Sequence, residues 1–354
     1  MVINSLKLIN FRNFSKLELN FSPKINVIYG KNASGKTNIV EAINYFALMR
    51  SFRTSNDKNL IKENEKDFFI KGIFENNPFD DEIEIYYDGK LKKSTLNKKA
   101  LTKVGDLIKR VNIIYFIPKE VNFLKESPSI RRNYLNLAIS KRYPEYLYNL
   151  SKFKKVLKER NDLLKKENID HVLLEIYTDE LIKLSRIIYS YRKMQIKYIN
   201  DVINTIYQKI SGNLKEIKVH YVPFVDDFDN YLSKAKAIFN KALEDDLNKK
   251  ITTKGINHED FYLTLNGKNV ATFGSQSENR VAVLSLKLSE YFLINQKEKK
   301  PIVILDDVLS ELDSFKKEKF LEFLKEFSQV FITNTEKIES DDYNNININE
   351  FIFN

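Results

Sequence analysis

The sequence predicts an α/β fold assembled from both ends of the chain, with a helical insertion between them, and three observations predict it. Short apolar runs interleave with helix-like stretches up to Pro118, and the same alternation resumes after Thr252. Between these segments apolar residues recur at helical spacing, with neither Pro nor Gly from Ile176 to Ile206. The apolar run Ile25–Tyr29 enters Gly30-Lys31-Asn32-Ala33-Ser34-Gly35-Lys36-Thr37, which fits the phosphate-binding pattern G-x-x-x-x-G-K-[ST] in the strand-to-helix context that pattern requires. The expected division is 1–128 with 250–354 as the α/β body, and 129–249 as an inserted helical arm.

Each element follows from its spacing. Ile3, Leu6 and Leu8 precede Phe11-Arg12-Asn13-Phe14, and Leu17, Leu19 and Phe21 then alternate with polar residues, so the first segment reads as strands. The helix after the glycine loop carries Ile39, Ile43, Phe46 and Ala47 on one face. Phe68–Phe74 reads as a strand, and Ile83, Ile85 and Tyr87 followed by Asp88-Gly89 and Leu91 read as a hairpin. Ile113–Ile117 is an apolar run that Pro118 stops. From Ser129 the period changes to that of a helix, through Leu147, Leu150, Phe153 and Leu163. After a break at Asn168–Asp170, Ile176, Leu181, Leu184, Ile187, Tyr191, Met194, Tyr198, Val202 and Ile206 continue it to Gly212. The two limbs make an antiparallel helical pair, and the aromatic stripe is read as packing between helices. Val219 and Tyr221 suggest a short strand, and Tyr231–Leu247 a helix. Phe261, Leu263 and Leu265 alternate before the turn signal Asn266-Gly267. A helix starts near Glu278, Ile302–Leu305 is a buried strand, Phe315–Phe327 a helix and Val330–Ile332 a strand. Ile346, Ile348 and Phe351 read as a terminal edge strand.

Composition bounds the function. A chain of 354 residues can hold two subdomains, and an apolar share of 43% is globular rather than disordered. There is no Cys, which excludes a disulfide framework and zinc-finger spacing, and three His leave little for a His-rich metal site. No apolar stretch has the length of a membrane helix, and the N-terminus lacks the basic-then-apolar order of a signal peptide. The expectation is a cytoplasmic protein without a membrane partner. A net charge of +10 suits a polyanion. An AT-rich genome also yields Lys-rich chains, so local clustering is the sharper signal. Between Lys90 and Arg110 there are eight Lys or Arg and one acid, Asp106.

The chemistry lies in three segments. Gly30 and Gly35 let the loop curl so that its N–H groups surround phosphates, at a helix start whose dipole favours anions. Lys36 is expected on the β- and γ-phosphates and Thr37 on Mg²⁺. The plain alternative is a glycine turn that caps a helix. Ile302–Leu305 ends in Asp306-Asp307: Asp306 is expected to hold Mg²⁺ and Asp307 to orient the attacking water, the alternative being two solvated acids at a strand end. Ser275-Gln276-Ser277-Glu278 stands at a helix start that can bind an anion, and Ser275 with Glu278 also satisfies a capping box.

Order and spacing of these segments resemble the ABC-type ATPase heads of the SMC and Rad50 class. Within it the chain resembles the RecF family of bacterial recombination-mediator and gap-repair ATPases. The resemblance rests on Asn10-Phe11-Arg12-Asn13-Phe14, Arg50-Ser51-Phe52-Arg53-Thr54-Ser55, Ser127-Pro128-Ser129 with Arg131-Arg132, and Leu305–Asp313. Ser277 and Glu278 stand where the family has Gly and Gln, and Asp307 where the wider class has Glu. Gly255–Asp260 departs from a Gly-Pro-His-Arg-Asp-Asp-like stretch, and Thr333 to Thr335 stand near a position the class gives to His.

The resemblance implies an ATP-driven homodimer. Residues 30–37, with Arg12, would bind ATP in one chain while Ser275, Gln276, Ser277 and Glu278 contact its γ-phosphate from the other. Lys36 and Asp307 would be catalytic, and Thr37 and Asp306 the metal ligands, in a weak DNA-stimulated ATPase used as a switch. DNA, as duplex and at single-strand junctions, would be clamped by the dimer, and RecR with RecO would help place RecA. Lys92, Lys93, Lys98, Lys99, Arg131 and Arg132 are the expected DNA contacts. Two other readings stay open: an ATPase subunit of a transporter-type complex, and a nucleotide-dependent scaffold that does not hydrolyse.

Overall fold

Residues 1–76, 78–101, 110–294 and 300–351 are described by a computed structural model. Contacts divide the chain into two units. One comprises Met1–Val121, Gln208–Asn213 and Glu290–Asn354; the other comprises Asn122–Tyr207 and Leu214–Ser289.

The first unit is built on two sheets. Strands β1 (Ile3–Phe11), β2 (Phe14–Asn20), β4 (Phe68–Phe74), β5 (Asp81–Tyr87), β6 (Lys92–Leu96) and β7 (Lys99–Ala100) form an antiparallel sheet in the order β2-β1-β4-β5-β6-β7. Strands β3 (Lys24–Tyr29), β8 (Ile113–Phe116), β12 (Ile302–Leu305), β13 (Gln329–Asn334) and β14 (Tyr343–Asn347) form a parallel sheet in the order β14-β3-β13-β12-β8. A strand covered on both faces has no need of alternation, and Ile302–Leu305 is buried at all four positions. Helix α1 (Lys36–Leu48) contributes Ile39, Val40, Ile43 and Phe46 to a core shared with both sheets. Gln329, fully buried on β13, exchanges hydrogen bonds with the Ile3 backbone of β1 and so fastens one sheet to the other.

The expected hairpin at Asp88-Gly89 joins β5 to β6, and Asp88 accepts hydrogen bonds from the Lys90 and Leu91 N–H groups to close it. The terminal strand is shorter than its apolar pattern suggested. It stops at Asn347, whose side chain accepts from the Asn349 N–H and donates to Glu350, and Ile348–Phe351 form a turn of 3-10 helix. Helix α8 (Ser314–Leu324) is capped by Asp313, which accepts from the Lys316 N–H.

The second unit holds α2 (Pro128–Arg142), the two long limbs α3 (Pro144–Leu164) and α4 (His171–Ser211, whose final turn belongs to the first unit), α5 (Tyr231–Lys249), α6 (Val270–Phe273) and α7 (Gln276–Leu293, which passes into the first unit after Ser289). It also holds a small antiparallel sheet, β9 (Ile217–Val222), β10 (Asp260–Leu265) and β11 (Lys268–Asn269). Pairing of β10 with β9 along its length groups residues 250–289 with the helical unit, whereas the sequence alone grouped them with the α/β body. Two charged networks are buried between its helices. Arg160 donates to Asp246, Thr252 and Thr178, and Arg192 to Glu259, Asn136 and the Ile256 carbonyl. Tyr189 stacks against Tyr221 and Tyr231, and Tyr191 of the aromatic stripe packs against Tyr143 and Tyr146 inside the unit. Among the described residues no helix is long and apolar enough to cross a membrane.

Candidate nucleotide site

The glycine loop joins β3 to α1, as its pattern requires. Ala33 and Gly35 both adopt left-handed backbone, with φ of 64° and 97°, which makes the loop concave towards the start of α1. A Cβ on Gly35 would lie 2.7 Å from both the Asn13 side chain and the Phe14 ring, so position 35 excludes side chains on two counts. At the helix start the first N–H groups, those of Lys36 and Thr37 among them, lack intrahelical acceptors. The Ser34 hydroxyl is buried with no hydrogen-bond partner among the described residues. Lys36 Nζ donates to the Gly30 and Lys31 carbonyls, each at 2.8 Å. Burial lowers its pKa, against the opposing pull of Asp307 and Asp306.

The acids arrive from the other end of the chain. Asp306, at the end of β12, is buried, and Thr37 Oγ1 lies 3.0 and 3.1 Å from its two carboxylate oxygens. Burial raises the Asp306 pKa, while hydrogen bonds from Thr333 and Thr37 oppose the rise. Asp307 is exposed and adopts left-handed backbone, φ 50°. Its N–H donates to Thr333 Oγ1 at 2.9 Å, and the Thr333 hydroxyl donates to Asp306 Oδ1 at 2.7 Å. Thr37 and Asp306 thus offer adjacent oxygens. That suits Mg²⁺, which takes few protein ligands when phosphates supply others.

Arg12 lies in the β1–β2 turn with φ 56°. Its Nε and Nη2 donate to both oxygens of Glu41, and its Nη1 to the Asn59 carbonyl. Glu41 is a fully buried carboxylate on α1, also bonded to Ser51 and 3.5 Å from Arg53. The expected nucleotide contact Arg12 is therefore anchored to the helix that the phosphate loop opens. Sequence reasoning did not single out Glu41; its signal was a single acid within Ile39–Ala47, a stretch of α1 that is buried at every position.

In the second unit, Ser275 and Glu278 form the capping box in full. The Ser275 N–H donates to Glu278 Oε2 at 2.9 Å, and the Glu278 N–H to Ser275 Oγ at 3.2 Å. Lys215 Nζ lies 2.6 Å from Glu278 Oε1, and this ion pair, with the Ser275 N–H, holds the Glu278 pKa below the usual carboxylate value. Lys215 and Glu278 line a cavity of about 280 Å³ with Lys268, Val270, Phe273 and Gly274. Ser275 and Gln276 are exposed at the helix start and Ser277 is half-buried, so capping leaves that end open to solvent.

The expected DNA contacts divide. Lys93, Lys98 and Lys99 are exposed on the β6–β7 hairpin, whose turn residues Asn97 and Lys98 have φ of 50° and 65°. Lys92 instead sits 2.6 Å from Asp57, donates to the Met49 carbonyl and lies over the Tyr45 ring. Arg131 is buried: it pairs with both oxygens of Asp260 and donates to the Leu124 and Glu126 carbonyls. Arg132 is half-buried and donates to the Glu259 carbonyl. These internal partners already match the charges of Lys92 and Arg131 within the fold. Part of the basic cluster, 102–109, lies outside the described residues.

Comparison with known proteins agrees with this geometry. The family described as RecF/RecN/SMC N terminal domain matches residues 2–346. The DNA replication and repair protein RecF of Bacillus cereus (strain G9842) is 37% identical over 345 residues, 95% of this chain and 92% of that protein. Its counterpart in Bacillus thuringiensis (strain Al Hakam) has the same identity and coverage. The chain belongs to the RecF family. Two solved structures of the recombination mediator protein RecF in the RecFOR pathway, described as RecF-ATPrS and RecF-ATP, superpose with TM-scores of 0.85 and 0.86 at 32% identity, each covering 98% of this chain and 97% and 95% of theirs. The SMC head domain from Pyrococcus furiosus shares the fold at a TM-score of 0.57 and 16% identity, over 94% of this chain and 89% of that one. The RecF member described above thus has the mixed α/β head of the SMC type, as its three segments implied.

Proposed function

We propose that this RecF-family chain is an ATP-dependent recombination mediator of DNA replication and repair. The observation that carries the reading is the meeting of Lys36 and Thr37, at one end of the chain, with Asp306, near the other. The loop N–H groups and Lys36 would bind the ATP phosphates, and Thr37 with Asp306 would hold Mg²⁺, which would supply charge neutralisation at the transferred phosphate. Lys36 leaves the Gly30 and Lys31 carbonyls to reach the nucleotide, and Asp307 orients the attacking water. The two other nucleotide-site assignments, Arg12 and the Ser275–Glu278 helix start, complete the site. Arg12 acts from the same chain, and the helix start acts from a second copy bound across the γ-phosphate.

Loss of that phosphate removes the bridge, so slow, DNA-stimulated hydrolysis works as a switch that opens the dimer. The dimer clamps duplex DNA beside single-strand gaps in the cytoplasm, through exposed cations such as Lys93, Lys98 and Lys99. With RecR and RecO it helps place RecA. The test is sedimentation velocity with and without ATP, Mg²⁺ and gapped duplex DNA. An ATP-dependent dimer that carries DNA is expected. A monomer under every condition, or a dimer indifferent to nucleotide, refutes the proposal.

A further inference from the structure

We propose that Thr333 is a positioning residue for ATP hydrolysis: one buried hydroxyl fixes both the metal-binding acid and the water-orienting acid. The inference rests on the roles proposed above for Asp306 and Asp307. Thr333 lies on β13, between the strand that enters the phosphate loop and the strand that ends in the two acids. Its own pairing is with Ile28 of β3, and the preceding Ile332 pairs with Leu305 of β12. It is 1% exposed, and a buried hydroxyl must place both its proton and its lone pairs. The proton goes to Asp306 Oδ1, at 2.7 Å, and the Asp307 N–H comes to the oxygen, at 2.9 Å.

The second bond matters because of the backbone it holds. Asp307 has φ 50°, a left-handed conformation that is unfavourable for a non-glycine residue and persists only where neighbours over-determine it. Asp307 is exposed, so burial of its own side chain does not supply that determination; its N–H is held by Thr333, and its carbonyl accepts from the Ser310 hydroxyl at 3.2 Å. Without the bond to Thr333 the segment can return to commoner backbone, which turns the Asp307 carboxylate away from the water it orients. Asp306 keeps its hydrogen bond from Thr37 in that case, so metal and nucleotide binding survive. The two acids are therefore coupled through one side chain of a neighbouring strand.

Thr333→Val keeps the shape and removes the hydroxyl, and Thr333→Ser keeps the hydroxyl. Three quantities separate the possibilities: affinity for a fluorescent ATP analogue, single-turnover hydrolysis, and the lifetime of the ATP-bound dimer in sedimentation. For Thr333→Val we expect affinity within about threefold of the parent, hydrolysis slowed by about tenfold or more, and a longer-lived dimer. Thr333→Ser returns all three to near parental values. Residues that act as a unit are non-additive, so Thr333→Val adds little to an Asp307→Asn background. Hydrolysis by Thr333→Val within about twofold of the parent overturns the inference. So does a loss of nucleotide binding in Thr333→Val that Thr333→Ser fails to restore, and so does full additivity with Asp307→Asn. Should Thr333→Val not fold, Thr333→Ala carries the same comparison. If Asp307→Asn itself hydrolyses at the parental rate, the role given to Asp307 fails first, and the inference falls with it.

Discussion

Removing the Ser275 hydroxyl distinguishes a helix cap from a contact made across two copies of the chain. In one chain that hydroxyl accepts the Glu278 N–H at 3.2 Å. Ser275→Ala leaves the N–H to water, since Ser275 is exposed, and loss of such a cap costs about 1 kcal/mol. The cost is the same in monomer and dimer and cancels from association. A hydroxyl that also donates to a γ-phosphate behaves differently. Twofold symmetry means that two such contacts are lost per dimer. Each hydrogen bond to a charged group contributes about 1.5–3 kcal/mol, about 3–6 kcal/mol for the pair. At about 1.4 kcal/mol per tenfold, the dimer weakens by roughly 10²- to 10⁴-fold. Ser275→Arg places bulk and charge at the same joint and abolishes the dimer. Sedimentation velocity over a concentration series with ATP and Mg²⁺ reads the association, and ATP affinity checks that each chain's own site is intact. A Ser275→Ala dimer within about threefold of the parent, beside the small thermal shift of a lost cap, refutes the contact across the pair.

The other expectations are briefer. Lys36→Ala loses ATP binding and keeps its melting temperature, because Lys36 opens α1 with its ammonium over the loop carbonyls and fills no core; calorimetry with ATP checks it. Replacing Lys93, Lys98 and Lys99 together with Ala lowers the slope of log K against log salt by up to about three for duplex DNA, at about 0.9 per phosphate contact, and an unchanged slope moves the DNA face elsewhere. Lys215→Met leaves Glu278 unpaired beside a phosphate and weakens the ATP dimer, and adding Glu278→Gln restores it; failure of that rescue in sedimentation shows that Lys215 acts otherwise. Arg160→Met strands the fully buried Asp246 and destabilises the second unit by about 3–5 kcal/mol, read in denaturant titration.

What the sequence made legible was local along the chain. The glycine loop, the buried strand Ile302–Leu305 and the acids after it are each one continuous segment, so pattern suffices to find them. The long helical limbs were legible for the same reason, since a 3.6-residue period sustained from Ile176 to Ile206 admits few other readings. What escaped depends on neighbours distant in sequence. Nothing near Glu41 announces Arg12 as its partner, and nothing near Asp307 announces its left-handed backbone or Thr333 beneath it. Lys92 and Arg131 looked like free cations because Asp57 and Asp260 lie far from them in sequence. Residues 250–289 looked like part of the α/β body because alternation marks a strand but does not say which strand it will pair with. Ile348 kept the apolar spacing of a strand while Asn347 turned the chain.

The strand order β14-β3-β13-β12-β8 has a consequence for synthesis. Strand β3 and its glycine loop leave the ribosome early, yet both neighbours of β3 belong to the last part of the chain. At about 5–20 residues per second, roughly 15–60 s pass between translation of Lys36 and translation of Thr333. For that interval the backbone edges of β3 lack both of the strands they pair with. A chain cut short before β12 therefore lacks Asp306 and Thr333 and cannot assemble the carboxylate side of the site. The phosphate loop thus meets its carboxylate partners only after β12 and β13 have been made.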